Sequence, residues 1–173
     1  RAKYLGGGIY HSAAKYSKGS VGVHSSANSL FLRNGTRVGF NIAQDGGGIM
    51  GDVKTFLQAI DAVFEGNLAN GGESDRGRGG GLMISGKARI DGTTFSGNAA
   101  HEGRGISLRG SQEVSDSRGS LYLTNSEFAS SGTTDEGAAI YVGREGDLHE
   151  MDVDFPENTS DNILYTLEAS ATE

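Results

Sequence analysis

The chain has 173 residues, among them 29 Gly, one Pro, no Cys and no Trp, and a formal net charge of −7. Glycine at more than twice the usual ~7%, with neither a G-X-Y period nor proline to match, excludes collagen, and the lack of cysteine excludes a disulfide-stapled module. The acidic balance argues against a nucleic-acid partner, which needs a basic stripe to replace phosphate counterions, and no apolar run approaches the ~18 residues of a membrane-spanning helix.

In chain order, one phrase recurs: an aromatic, two residues, an asparagine, then a glycine cluster before Ile or Leu. A half copy opens the chain, with glycines at 6–8 before Ile9 and Tyr10, and residues 11–30 read as an insertion. The first full copy runs from Val38, in the aromatic slot, through Asn41 to glycines at 46–48 and Ile49. Next come Phe64 and Asn67, a polar loop over 70–78, and glycines at 79–81 before Leu82. Phe95 and Asn98 lead to Gly103, Gly105 and Ile106, and an insertion is expected over 109–119. Phe128 has Ser131 in the asparagine slot and is followed by Gly137 and Ile140, while Phe155 and Asn158 precede Ile163 without glycines. Residues 166–173 turn small and polar and read as a cap or tail.

The aromatic slots at 38, 64, 95, 128 and 155 are 26, 31, 33 and 27 residues apart. Stacked helical repeats resist such changes of length, whereas a solenoid of short strands expels extra residues through its turns. One coil of three short strands and their turns needs roughly 20 to 25 residues, so each interval is a coil plus an insertion. The intervening segments alternate apolar and polar residues, as in Leu121 to Thr124, with no helical period. A single all-β domain, a parallel β-helix of about five to six irregular coils, is therefore expected. In it, Asn41, Asn67, Asn98 and Asn158 occupy left-handed turns and pass amide hydrogen bonds from coil to coil. Phe64, Phe95, Phe128 and Phe155 stack inside, and the glycines mark a tight corner. The start at Arg1 and the open sheet edges of such a stack lead to the expectation of a fragment of a longer chain, with further coils or a partner at its ends.

The alternation of a Gly-Gly-small-Ile/Leu phrase with Phe-x-x-Asn over nearly the whole chain resembles the repeats of the chlamydial polymorphic outer membrane proteins and related pectin-lyase-like surface proteins. The resemblance implies a right-handed parallel β-helix, a surface or extracellular location and an adhesive role.

Residues following each recurrent Ile or Leu alternate with inward neighbours and are expected to point outward: Tyr10, Met50, Met83, Ser107, Tyr141 and Leu164. Coils ~4.8 Å apart align them in a mostly apolar ridge about 25 Å long, which reads as a surface for a protein partner or cell-surface ligand unless residues 11–30 or 109–119 fold over it. The column holds no carboxylate, so the paired acids of a glycosidase have no place on it. The leading expectation is a non-enzymatic scaffold of a surface or assembly protein that binds through this ridge. The alternatives are a carbohydrate-active β-helix with its acids on an insertion, at Glu113 and Asp116 beside Arg118, and a structural subunit of a large complex. Asp152 and Asp154 read as an outward pair opposite Met151 and Val153, and Asp135 with Glu136 as a turn; neither pair has the five or six oxygens of a calcium site. His11, His24, His101 and His149 share no spacing and read as surface or turn residues. No cofactor, metal or catalytic residue is assigned.

Overall fold

The computed structural model describes residues 7–11, 23–25, 29–72, 77–110, 118–129, 137–155 and 162–165. A first pass of chain contains β1 (Ile9–His11), β2 (Val23–Ser25), β3 (Ser29–Leu32), β4 (Arg37–Gly39) and β5 (Ile42–Ala43). The second contains β6 (Ile49–Gly51), β7 (Phe56–Ile60), β8 (Val63–Glu65) and β9 (Leu68–Ala69), and the third β10 (Leu82–Ile84), β11 (Lys87–Asp91), β12 (Thr94–Ser96) and β13 (Ala99–Ala100). Shorter passes follow: β14 (Ile106–Leu108), β15 (Gly119–Thr124) and β16 (Glu127–Phe128), then β17 (Ile140–Val142) and β18 (Gly146–Met151), then β19 (Ile163–Tyr165). Equivalent strands stack into a seven-stranded sheet ordered β19-β17-β14-β10-β6-β1-β2, a five-stranded sheet ordered β18-β15-β11-β7-β3, a four-stranded sheet ordered β16-β12-β8-β4, and a three-stranded sheet ordered β13-β9-β5. Their pairings are parallel throughout.

The chain is thus an all-β parallel solenoid, with two differences from expectation. Only three passes place a strand in all four sheets, because the strand beside the glycine corner drops out after β13 among the described residues; five to six is a count of partial passes. The expected insertion over 11–30 also contributes to the stack: β2 pairs with β1 on the side away from β6, and β3 opens the five-stranded sheet. Residues 73–76, 111–117 and 166–173, where the other insertions and the tail were expected, lie outside the described residues.

The interior is made of equivalent residues meeting one another. Ile49, Leu82, Ile106 and Ile140 stand in register in the seven-stranded sheet and are fully buried. Phe64, Phe95, Phe128 and Phe155 form a stack with ring centroids 4.9, 4.8 and 5.3 Å apart and planes within 16° of parallel. Val38 extends the column at the other end. Each such ring adds the roughly 2–3 kcal/mol of a buried Phe to the ~0.5–1.5 kcal/mol of an aromatic pair.

The asparagine ladder has the expected partners but a different backbone. Asn41 Nδ2 donates to Asn67 Oδ1, and Asn67 Nδ2 to Asn98 Oδ1, both at 2.9 Å. The amides also donate to the carbonyls of Gly39, Val38 and Phe64, so the ladder satisfies backbone that the turn leaves unpaired. The left-handed residue is the one before each asparagine: Phe40, Gly66 and Gly97, with φ of 57°, 61° and 60°. A helix-like ladder of side chains requires the asparagine itself to point inward, which leaves its predecessor to make the turn. Asn158 lies outside the described residues.

Glycine serves the corner in two ways. Gly46, Gly79, Gly103 and Gly137, the first of each cluster, take φ between 57° and 84°. The third must lack a side chain because the ladder passes it: a Cβ on Gly48 would lie 2.5 Å from the carbonyl oxygen of Gly81 and 3.2 Å from the amide of Asn67.

At the last strand of the five-stranded sheet the inward register changes character. Leu32, Ala59, Ile90 and Leu123 form a buried inward column, and the next residue in it is Glu150, which is exposed. An inward carboxylate on an edge strand opposes pairing with a further apolar coil. In the same region Asp152 and Asp154 are both exposed, as expected, and the difference lies at Met151. Asp152 adopts φ 54° and ends the strand, so the alternation restarts: Met151 points outward and is 62% exposed, while Val153 packs on the core.

Two outcomes follow for stability. Asn67→Ala removes both acceptor and donor of a buried rung and is expected to cost about 3 kcal/mol, read as a lower urea midpoint with unchanged m. Glu150→Leu is expected to raise the thermal midpoint and to increase concentration-dependent association over the parent protein in light scattering. A variant that scatters like the parent removes the edge-blocking role.

Candidate functional site

The ridge residues stand together in one column of the seven-stranded sheet, as expected: Tyr10, Met50, Met83, Ser107, Tyr141 and Leu164 are successive register partners. They point away from the main core, and Tyr10, Met50 and Met83 form a separate buried cluster. Their exposure is what differs. Tyr10, Met50, Met83 and Ser107 are buried, Tyr141 is half-buried, and Leu164 alone is open, at 46%. Most of this column is a second, smaller core and not an exposed apolar strip. Among the described residues, Tyr10 donates its hydroxyl to Asp52 Oδ2 at 3.0 Å. The segments expected to cover the ridge fall mostly outside the described residues.

Ser107 has an ion pair close by on its chain. Arg109 follows it by two residues on the same face, its guanidinium 5.5 Å from the ring of Tyr141 and ion-paired with Glu102 at the other end of β14. The Arg109 side chain also passes close to Gly143, the residue two places beyond Tyr141. Ser107 is wholly buried, and among the described residues its Oγ has no hydrogen-bond partner. Beside this face runs a column of alternating charge: Asp45, Arg78 and Glu102 are bridged in successive coils, and Arg78 is held by both carboxylate oxygens of Asp45 at 2.9 and 2.7 Å. Arg104 differs, since burial pulls its guanidinium pKa down and among the described residues its Nη2 has no hydrogen-bond partner.

The other expected chemistry does not converge. Among the described residues no three His, Asp or Glu side chains gather as a cation site. His101 and His149 are exposed, but His11 is fully buried, in register with Gly51. The strand carrying His24 is described but its side chain is not. Arg118 is exposed and 3.7 Å from Glu145; Glu113, Asp116, Asp135 and Glu136 lie outside the described residues.

A face not anticipated from the sequence is the outward side of the five-stranded sheet. Its middle column is Phe31, Gln58, Arg89, Tyr122 and His149 in successive strands, and its first is Ser29, Phe56, Lys87, Ser120 and Asp147. Phe31 and Tyr122 are 54% and 53% exposed. Neighbours hold them in place: Phe56 meets Phe31 edge to face, Arg33 sits 5.4 Å from the Phe31 ring and bonds Gln58, and His149 stacks on Tyr122 at 4.5 Å while its Nε2 is 3.2 Å from Asp147. Asp91, at the margin, accepts from Asn125 and Thr124, and these two bonds draw its carboxyl below the usual carboxylate range. The signal was present as period-two alternation at 29–32, 56–60, 87–91 and 120–124. It required aligning those strands across coils, whereas the Ile/Leu phrase draws attention to a different sheet.

Ser107→Ala removes a buried hydroxyl without a hydrogen-bond partner among the described residues and is expected to raise stability by about 1 kcal/mol, whereas Ser107→Met overfills a wholly buried position and is expected to lower it by about 1–3 kcal/mol, both measured by urea unfolding.

Comparison of the chain with protein-family models, curated proteins and solved structures finds no match.

Proposed function

We propose that the protein is a non-enzymatic β-solenoid scaffold that works at the cell surface or outside the cell, presenting the outward side of its five-stranded sheet to a protein or cell-surface ligand. The observation that carries this reading is the pair of rings, Phe31 and Tyr122, each more than half exposed on a flat face where their neighbours fix their orientation. Exposed, ordered aromatics supply contact area with little entropy left to lose, which is why they anchor interfaces. The interior supports the same reading, because ladders of Phe and Asn make a rigid rod suited to displaying a surface. The repeat's resemblance to adhesin passengers agrees with it. With four of its six residues buried, the ridge of the seven-stranded sheet is assigned to stability.

Two measurements test this. Retention of the purified protein on immobilised surface proteins and glycans is expected to fall at least tenfold in a Phe31→Ser, Tyr122→Ser double variant, with no loss of thermal midpoint. Acidic and neutral polysaccharides are expected to gain no new chain ends on incubation. Turnover that disappears in Glu113→Gln overturns the scaffold reading.

A further inference from the structure

We infer that the middle of this face binds a glycan carrying a single acidic sugar, with Lys87 and Arg89 taking its carboxylate; the inference rests on this face being the one presented. Lys87 and Arg89 are both exposed, two residues apart on β11, so their side chains leave the sheet about 6.6 Å from each other. Neither has a carboxylate within ion-pairing distance among the described residues. In a molecule of charge −7, Arg37, Arg78, Arg109 and Arg118 each face an acid, whereas Lys87 and Arg89 stand side by side on one strand with their charges open to a ligand. Asp91, two residues on from Arg89, accepts from Thr124 and Asn125 and feels the charge of Arg89 without an ion pair to it, and Asp147 lies against His149.

The neighbours of the two cations specify the rest of the ligand. On one side Lys87 and Arg89 are in register with Phe56 and Gln58, and on the other with Ser120 and Tyr122. Rings therefore stand at two diagonal corners of the cationic pair, and an amide and a hydroxyl at the other two. An acidic sugar has the matching parts: a carboxylate for a guanidinium and an ammonium, hydroxyls for Gln58 and Ser120, and C–H faces that pack on aromatic rings. One face of the Tyr122 ring is taken by His149, so a sugar packs on its exposed outer edge, one strand or about 4.8 Å from Arg89, and keeps its carboxylate within reach of the cation.

One cationic pair fits one anion. A nucleic acid presents a charge about every 1.7 Å of duplex and would meet the repulsion of a net-acidic protein over most of its contact. Densely sulfated chains meet the same repulsion. A glycan with a single terminal carboxylate engages the pair and places its neutral sugars along the sheet.

The test uses sialyllactose, lactose, heparin and a DNA oligonucleotide, with titration calorimetry and ligand-observed NMR on the intact chain. Sialyllactose is expected to bind at least tenfold more tightly than lactose, to weaken with added salt, and to fall to the lactose level in a Lys87→Gln, Arg89→Gln double variant. Tyr122→Ser is expected to weaken it about tenfold. Equal binding of sialyllactose and lactose, or binding indifferent to the double variant, overturns the inference. So does retention of heparin or DNA without sialyllactose. If sialyllactose fails while another immobilised ligand still depends on Phe31 and Tyr122, the acidic-sugar assignment falls and the presented face stands; if no ligand depends on those rings, both fall.

Discussion

Stacked coils about 4.8 Å apart force nearly every side chain to lie against its equivalents in the coils above and below, and this self-pairing governs what each column of the solenoid can hold. Inside, only residues that pack on copies of themselves are suited to the arrangement. Phenylalanine does so by offset stacking at 4.8 to 5.3 Å, and asparagine by presenting an amide donor to one neighbour and an acceptor to the other. Outside, the same rule makes a column of like charge expensive, since two unit charges at that spacing interact by about 1 kcal/mol in water and several-fold more where water is excluded. The Asp45, Arg78, Glu102 column accordingly alternates in sign. Lys87 lies between Phe56 and Ser120, and Arg89 between Gln58 and Tyr122.

Turns obey a second constraint, because the backbone must bend at the same place in every coil. Between the five- and four-stranded sheets the bend is made by Asn34, Asp61, Gly92, Asn125 and Asp152 in left-handed or glycine-like geometry, residue types that tolerate positive φ at least cost. The turn before the asparagine ladder uses Gly66 and Gly97, but in the first coil it uses Phe40, an aromatic at φ 57° with 78% of its surface exposed. Its ring lies across Gly66, occupying the space that a Cβ there would need, so the strain of one coil is accommodated by the glycine of the next.

These constraints explain what was legible in the sequence. Phe64, Phe95, Phe128 and Phe155, the asparagines and the inward Ile/Leu positions repeat because self-pairing selects them, and repetition is readable in a single sequence. The register of Tyr10, Met50, Met83, Ser107, Tyr141 and Leu164 was readable for the same reason. Their burial was not, because it depends on contacts outside the repeat: Tyr10, for one, is tied to Asp52, which has no counterpart at that place in the other copies of the phrase. Nor was the phase of the alternation at Met151, where one left-handed residue, Asp152, resets which side faces out. The five-stranded face was hidden by its diversity, since Phe31, Gln58, Arg89, Tyr122 and His149 share a column but no residue type.

That diversity is where the molecule's specificity resides. The interior is held by columns of like residues, so no single outward side chain is needed to keep the coils in register, and outward positions are free to differ from coil to coil. A face built from unlike residues on a rigid periodic frame places each group at a fixed multiple of the strand spacing from the next, without the entropy cost of ordering a loop. Lys87 and Arg89 share a strand and Tyr122 is one step away, so their relation is set by the backbone and persists as long as the Asn and Phe ladders do. The regular interior is thus the means by which an irregular surface is held still, and recognition belongs to the columns that break the repeat.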